Sequence, residues 1–260
     1  MKRYLLLLIV FPMVLSLTAC ASKQAEVLQQ QKRAEALRNL GEAYIQEGNF
    51  SAALKELVKA EQLAPEDPYL QNDLGRAYMG KQHLDKAIFH FEKAISLKPD
   101  FAPAMNNLGA AYLAAKEWDK AIQTLQVLSE NLFYGTPHFA LSNMGYAYYN
   151  KKMYRQAEQK YLEALAIEPQ FLIALRGLGN TYMAQGNMDK AINAFKKAVA
   201  AAPRYPELHA DLAKAYIASK QFEDALGEME KTLELAPQGS PLFDEATDIV
   251  AKLKRKVSAK

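Results

Sequence analysis

A tyrosine recurs along this chain at Tyr44, Tyr78, Tyr112, Tyr148, Tyr182 and Tyr216, at spacings of 34, 34, 36, 34 and 34 residues. An alanine keeps the same intervals at Ala53, Ala87, Ala121, Ala157, Ala191 and Ala225. A glycine follows at Gly41, Gly75, Gly109, Gly145 and Gly179, with Ala213 in the sixth place, and Pro65, Pro99, Pro169, Pro203 and Pro237 close five of the six repeats. Self-similarity at such a period constrains the fold more than any local propensity, because each repeat leaves an apolar face that only its neighbour can cover. No alternation of the β type competes with it.

Each periodic position has a physical reason. Leu40, Gly41 and Tyr44 fall on one helical stripe, as a packed face requires. Gly or Ala removes bulk where two helices cross closely, and Ala53 and Ala60, with Leu57 between them, do the same on a second helix. Turn signals such as Glu47-Gly48-Asn49 and Gln185-Gly186-Asn187 separate the two helices. The second helices open acidic at Asp85, Asp119, Asp189 and Glu223, which suits the positive end of a helix dipole. The closing prolines cannot continue a helix.

This set of positions resembles the tetratricopeptide repeat over residues 34–239. The resemblance implies an all-α fold, a right-handed α-solenoid of six helix-turn-helix repeats at 34–67, 68–101, 102–137, 138–171, 172–205 and 206–239. A C-terminal capping helix is expected over 240–260, opened by Ser240-Pro241 as N-cap and first helical residue. Its stripe of Leu242, Ala246, Ile249 and Leu253 would cover the last repeat.

The N-terminus is of another kind. Lys2 and Arg3 precede an apolar run from Tyr4 to Leu17, broken only by Pro12 and Ser16. The run is shorter than the roughly 20 residues a membrane-spanning helix needs, and it reads as a secretory signal over 1–19. The ending Leu17-Thr18-Ala19-Cys20 resembles a bacterial lipobox, which implies that Cys20 is lipidated and becomes the new N-terminus. Ala21, where sorting of the enteric type would be diverted by Asp, points to an outer-membrane anchor facing the periplasm. Residues 20–33 then form a short helical lead-in that holds the repeats close to the membrane. With Lys2 and Arg3 removed, the net charge of +3 falls to about +1, and no basic surface of the kind that binds nucleic acid is concentrated anywhere.

Chemistry-bearing motifs are missing. The sequence holds no HExxH, no GxSxG and no phosphate loop, and its single cysteine is taken by the lipid. His83, His90, His138 and His209 sit at scattered repeat positions, and Gly177-Leu178-Gly179 lies within a helical pattern that follows no strand. The chain is therefore expected to be no enzyme, to carry no cofactor or metal, and to take no small-molecule substrate.

What the resemblance implies instead is a groove, lined by the first helix of each repeat, that takes a partner protein. Carried onto this chain, the groove positions are Arg38, Glu42 and Ile45, then Tyr69, Asn72, Arg76 and Met79, then Asn106, Ala110 and Leu113. They continue through Phe139, Ser142, Tyr146 and Tyr149, then Ile173, Arg176, Asn180 and Met183, then Glu207, Ala210, Lys214 and Ile217. Tyr and Phe among Asn and Arg are the composition of a protein-binding patch, which singles out Tyr69, Asn72, Arg76, Asn106, Phe139, Tyr146, Tyr149, Arg176 and Asn180. Met79, Leu113, Tyr149 and Met183 read equally as half-buried packing residues. Arg176 and Asn180 resemble half of a basic clamp for a C-terminal carboxylate, with Asp211 where that clamp has an amide.

The third repeat carries two extra residues, in Ser129-Glu130-Asn131-Leu132-Phe133-Tyr134-Gly135-Thr136-Pro137. Leu132, Phe133 and Tyr134 either fill a wedge between repeats or touch the partner, and the break is expected to divide the repeats three and three. A lipobox, six repeats and this break resemble the pilotins, lipoproteins of type IV pilus biogenesis that assist assembly of the secretin channel. The resemblance implies a secretin or another envelope assembly component as partner. A periplasmic adaptor that recruits peptidoglycan hydrolases or a protease is the alternative. The lipobox reading is tested directly: labelled palmitate should enter the chain, and Cys20→Ser should abolish both labelling and membrane retention.

Overall fold

Residues 2–131 and 134–258 are described by the computed structural model, with side chains from residue 24 onward. Among them are thirteen helices and no strand. These are α1 (Lys2–Gln46), α2 (Phe50–Leu63), α3 (Pro68–Gly80), α4 (Leu84–Leu97), α5 (Ala102–Ala114), α6 (Trp118–Ser129) and α7 (Pro137–Asn150). They continue as α8 (Tyr154–Ile167), α9 (Leu172–Ala184), α10 (Met188–Ala201), α11 (Pro206–Ala218), α12 (Phe222–Leu235) and α13 (Pro241–Ser258). The pairing of each odd-numbered helix with the even one after it is that of a tetratricopeptide-type α-solenoid.

One turn is built six times between paired helices. Its carbonyl acceptor is the periodic tyrosine: the backbone N–H of Asn49, His83, Glu117, Met153, Asn187 and Gln221 donates to Tyr44, Tyr78, Tyr112, Tyr148, Tyr182 and Tyr216 respectively, at 2.8–2.9 Å. The residue just before each donor, Gly48, Gln82, Lys116, Lys152, Gly186 or Lys220, has a φ between 60° and 77°. Its own N–H bonds the carbonyl three residues back, which completes a Schellman cap. Only two of the six left-handed positions hold glycine, so the sequence announces only two of these turns openly. At the other four the doubled hydrogen bonding holds a side-chain-bearing residue there against a steric cost of about 1–2 kcal/mol.

Closure of four of the helix pairs depends on a vacant Cβ, while Ala213 takes the glycine's place in the sixth. A Cβ built on Gly75 would lie 2.5 Å from the Phe91 ring, and one on Gly179 would lie 2.5 Å from the Phe195 ring. Gly41 faces Leu57 at 2.5 Å and Gly145 faces Tyr161 at 2.8 Å in the same way. In each case one large side chain from the second helix fills the notch in the first, and Leu57, Phe91 and Phe195 are fully buried.

Two repeats add a polar clasp at a shared position. Gln71 donates to the Pro65 carbonyl at 2.9 Å and accepts from His90 Nδ1 at 2.7 Å. In the sixth repeat His209 occupies the place of Gln71, with Nε2 3.0 Å from the Pro203 carbonyl and Nδ1 2.7 Å from Glu228. Leu37, Met105, Leu141 and Leu175 stand at that position elsewhere.

The chain divides into two compact bodies, up to Ala111 and from Tyr112 on, with the boundary inside α5. In the first, Leu57, Leu70 and Leu74 form the main cluster, packed by Leu37 and Tyr44 from α1. In the second a long cluster runs from Leu141 through Tyr161, Tyr182, Phe195 and Tyr216 to Met229 and ends on Ala246, Val250 and Leu253 of α13, with a smaller one at Leu175, Ala198 and Leu208. That last helix is N-capped by the Ser240 hydroxyl, which accepts from Phe243 N at 3.2 Å.

The expected three-and-three division differs from this boundary. Helices α6 and α7, on either side of the two extra residues, pack together within the second body. In the connection between them Tyr134 N donates to Asn131 O at 3.0 Å. Leu132 and Phe133 lie outside the described residues, as does the side chain of Cys20. The lead-in is one with α1, and no helix among the described residues is long and apolar enough to cross a membrane.

The notch rule gives opposite effects for two glycine substitutions. Gly179→Ala should displace the Phe195 ring and lower unfolding stability by about 1–3 kcal/mol. Gly227→Ala, on α12 where a Cβ meets nothing within 4 Å, should raise stability by about 0.5–1 kcal/mol. Urea unfolding of both variants beside the parent checks the pair.

Candidate functional site

In the first body the groove positions are bound into local pairs. Arg76 reaches Asp73 at 3.1 Å and Glu42 at 3.7 Å, and Arg38 reaches Asp67 at 3.5 Å. Asn72 is buried and accepts from Asn107 Nδ2 at 2.9 Å, a bond between α3 and α5. Tyr69 is exposed, edge-on to Phe101 at 5.0 Å, and its hydroxyl accepts from Lys98 at 2.8 Å. Asn106 is half-buried on α5. These side chains are held by their neighbours, and the hollow of ≈ 540 Å³ beside them, between α1 and the turn after α2, is lined by polar groups such as Gln31, Glu35, Arg38 and Asp67.

The second body is different. A cavity of ≈ 610 Å³ opens on the face formed by the first helices α7, α9 and α11. Tyr146 and Tyr149 come from α7, Ile173, Arg176 and Asn180 from α9, and Glu207 and Leu208 from α11. The volume falls within the roughly 300–1,000 Å³ of sites that take ligands or anchoring side chains. Tyr146 is 48% exposed, Ile173 56% and Tyr205 58%, so the rim is apolar and open to solvent. Trp118 stands edge-on to Tyr146 at 6.1 Å, and Phe139 packs against Phe171 at 4.8 Å further along α7. A second hollow of ≈ 330 Å³, lined by Tyr149, Asn180, Met183 and Lys214 among others, continues the same face.

Charge at this site is largely cancelled. Arg176 Nε donates to Asp211 Oδ2 at 2.5 Å, so the guanidinium expected to serve a clamp is paired within the protein. Asp211 in the place of an amide is the reason. The Tyr161 hydroxyl titrates well above its usual range because it is buried, with Tyr146 and Tyr149 adding to the effect, and it stays neutral. Among the described residues no group of three or more His, Cys, Asp or Glu side chains is placed to hold a metal ion.

Sequence reasoning found Tyr146, Tyr149, Arg176 and Asn180, which the structure brings together, but not the two residues that make the cavity. Gly177 stands where the other repeats carry Asn39, Asp73, Asn107, Asn143 and Asp211. Tyr161 stands where they carry Leu57, Phe91, Leu125, Phe195 and Met229. A Cβ on Gly177 would overlap the Tyr161 ring, so the ring, already seated against Gly145, passes on to the floor of the cavity. The signal was present as two coincident departures from the repeat, one a missing side chain and the other an added hydroxyl.

Models of the tetratricopeptide repeat match residues 41–82, 78–132, 142–206 and 183–253, well over half of the chain. They leave out 133–141, beside the two extra residues. No curated protein matches the sequence. Among solved structures, PilW, described as a widely conserved type IV pilus biogenesis factor, superposes with a TM-score of 0.75 at 21% identity, over 82% of this chain and 98% of PilW. PilF of Pseudomonas aeruginosa gives 0.70 at 18% identity, over 85% of this chain and 99% of PilF. A tetratricopeptide repeat protein of Parabacteroides merdae gives 0.69 at 19%, over 88% and 93%. At these identities the likeness is one of fold.

The buried carboxylate of the first body supplies a test in pH. Burial raises the Asp73 carboxyl to about 6, against the Arg76 guanidinium and with help from Glu42. A raised folded-state value stabilises the fold below the unfolded value near 3.8, and that contribution is lost as pH rises through about 6. Asp73→Asn, which stays neutral, should gain on the parent by on the order of 2 kcal/mol between pH 4 and pH 7. Urea unfolding at both pH values measures it, and an unchanged difference would refute the assignment.

Proposed function

The chain belongs to the tetratricopeptide repeat family, and we propose that it is a lipid-anchored scaffold of the cell envelope that holds a protein partner on the α7–α9–α11 face. The observation that carries this is the open, apolar and nearly neutral cavity between Tyr146, Ile173 and Asn180. Tyrosine supplies contact area at low entropic cost, and amides beside it can hold a backbone.

The finer reading is a pilotin-like role. The fold likeness takes in nearly the whole of PilW and of PilF, and the lipobox at Cys20 supports an outer-membrane anchor facing the periplasm. On this reading the partner is the secretin, met at the membrane surface because almost no linker precedes the repeats. Lipid chains of about 0.8 kcal/mol per buried methylene make such an anchor firm.

Deletion should reduce secretin multimers and twitching motility, and a Tyr146→Ala, Ile173→Asp double variant should fail to restore them while keeping its helical circular dichroism. Normal multimers in the deletion strain would end the pilus reading. Capture of peptidoglycan hydrolases or a protease by the Cys20-anchored chain would replace it with the adaptor.

A further inference from the structure

The floor of the cavity is a place where two departures from the repeat coincide. Gly177 removes the side chain that every other repeat presents there, and Tyr161 reaches through from α8 to make the floor. Ser142, only 1% exposed, lines the same space, and its hydroxyl has no hydrogen-bond partner in the protein. A buried hydroxyl without a partner is costly, which marks a position completed by something outside the chain.

The charges say what that is. Arg176 is occupied by Asp211, so the site offers no uncommitted cation to a carboxylate. Glu207 lines the mouth, and no cation pairs with it among the described residues. The unbalanced charge of the site is therefore one carboxylate, at the edge of an apolar hollow.

We propose that this cavity takes a large apolar side chain from within a partner's chain, flanked by Lys or Arg, and that it rejects acidic segments and free C-terminal carboxylates. The proposal rests on the reading of this face as protein-binding and names the chemistry of the segment it holds. The apolar side chain lies over Tyr161 in the notch of Gly177. The flanking cation meets Glu207, and the segment's backbone or a polar side-chain tip completes Ser142. Charge complementarity of this sort sets selectivity more than strength.

The test uses the full-length chain with two random-peptide libraries, one joined to its carrier through the peptide C-terminus and one presenting free carboxyl ends. The joined library should yield sequences with a large apolar residue beside Lys or Arg, depleted in Asp and Glu. Ile173→Arg, at an exposed position that spares the fold, should cut recovery about tenfold, the loss of one good anchor. Glu207→Lys should abolish the basic preference and leave the apolar one. Acid-rich winners, dependence on a free carboxyl end, or undiminished binding to Ile173→Arg would overturn the proposal while leaving the scaffold reading intact. If the parent enriches no peptide from either library, both readings of this face fall together.

Discussion

Everything in this fold depends on pairs of helices approaching closely enough to share one buried side chain. In four pairs the first helix lacks a Cβ, at Gly41, Gly75, Gly145 and Gly179, where the partner side chain fills the space, and in the sixth the small Ala213 serves instead. Interiors are packed at crystal-like density, so a notch and its filler must match in size. The six capped turns fix the angle at which the two helices meet, and the alanines of the second helix let the next pair settle against it. A repeat built this way cannot be stable alone. It becomes so by stacking, and α13 supplies the same service at the end of the second body.

The candidate site is a local exception made from the same parts. Tyr161 obeys the rule at Gly145 and then exceeds it, because its para position carries a hydroxyl that no other filler has. Gly177 supplies the extra space at the cost of a groove side chain. One substitution without the other would leave either a void or a clash. A repeat fold acquires a cavity in this manner by altering two positions, with the backbone period untouched and the exposed residues of α7 and α9 free to set the rim.

Much of this was legible in the sequence because repetition turns weak signals into a strong one. The tyrosine, alanine and glycine registers gave the helix pairs, and the closing prolines gave their ends to within two residues. The turns were half hidden, since Lys116, Lys152, Lys220 and Gln82 take a left-handed conformation that their identity does not advertise. Tyr146, Tyr149, Arg176 and Asn180 followed from the groove positions of the tetratricopeptide repeat, carried onto this chain in register. Phase could not show that Arg176 is paired with Asp211, or that groove residues of the first body are spent on one another. Most of those contacts join side chains about a repeat apart, and they depend on lengths and rotamers that periodicity does not encode. The two-residue insertion misled for a similar reason: a longer loop changes the period without parting the helices it joins.

The polar clasps carry a further implication. A chain of near-identical modules faces a hazard that ordinary domains do not, namely slipping by one whole period so that a helix docks against the wrong successor. Apolar notches oppose such an error through the size of the filler alone, since Leu, Phe and Met are alike in polarity. Gln71 with His90, and His209 with Glu228, are not interchangeable in this way. Transposed by one repeat, Gln71 would face Thr124 and His209 would face Ala194, each leaving a buried polar group without its mate. The two clasps thus mark, one in each body, a pairing of first and second helix that a run of apolar notches would leave unmarked.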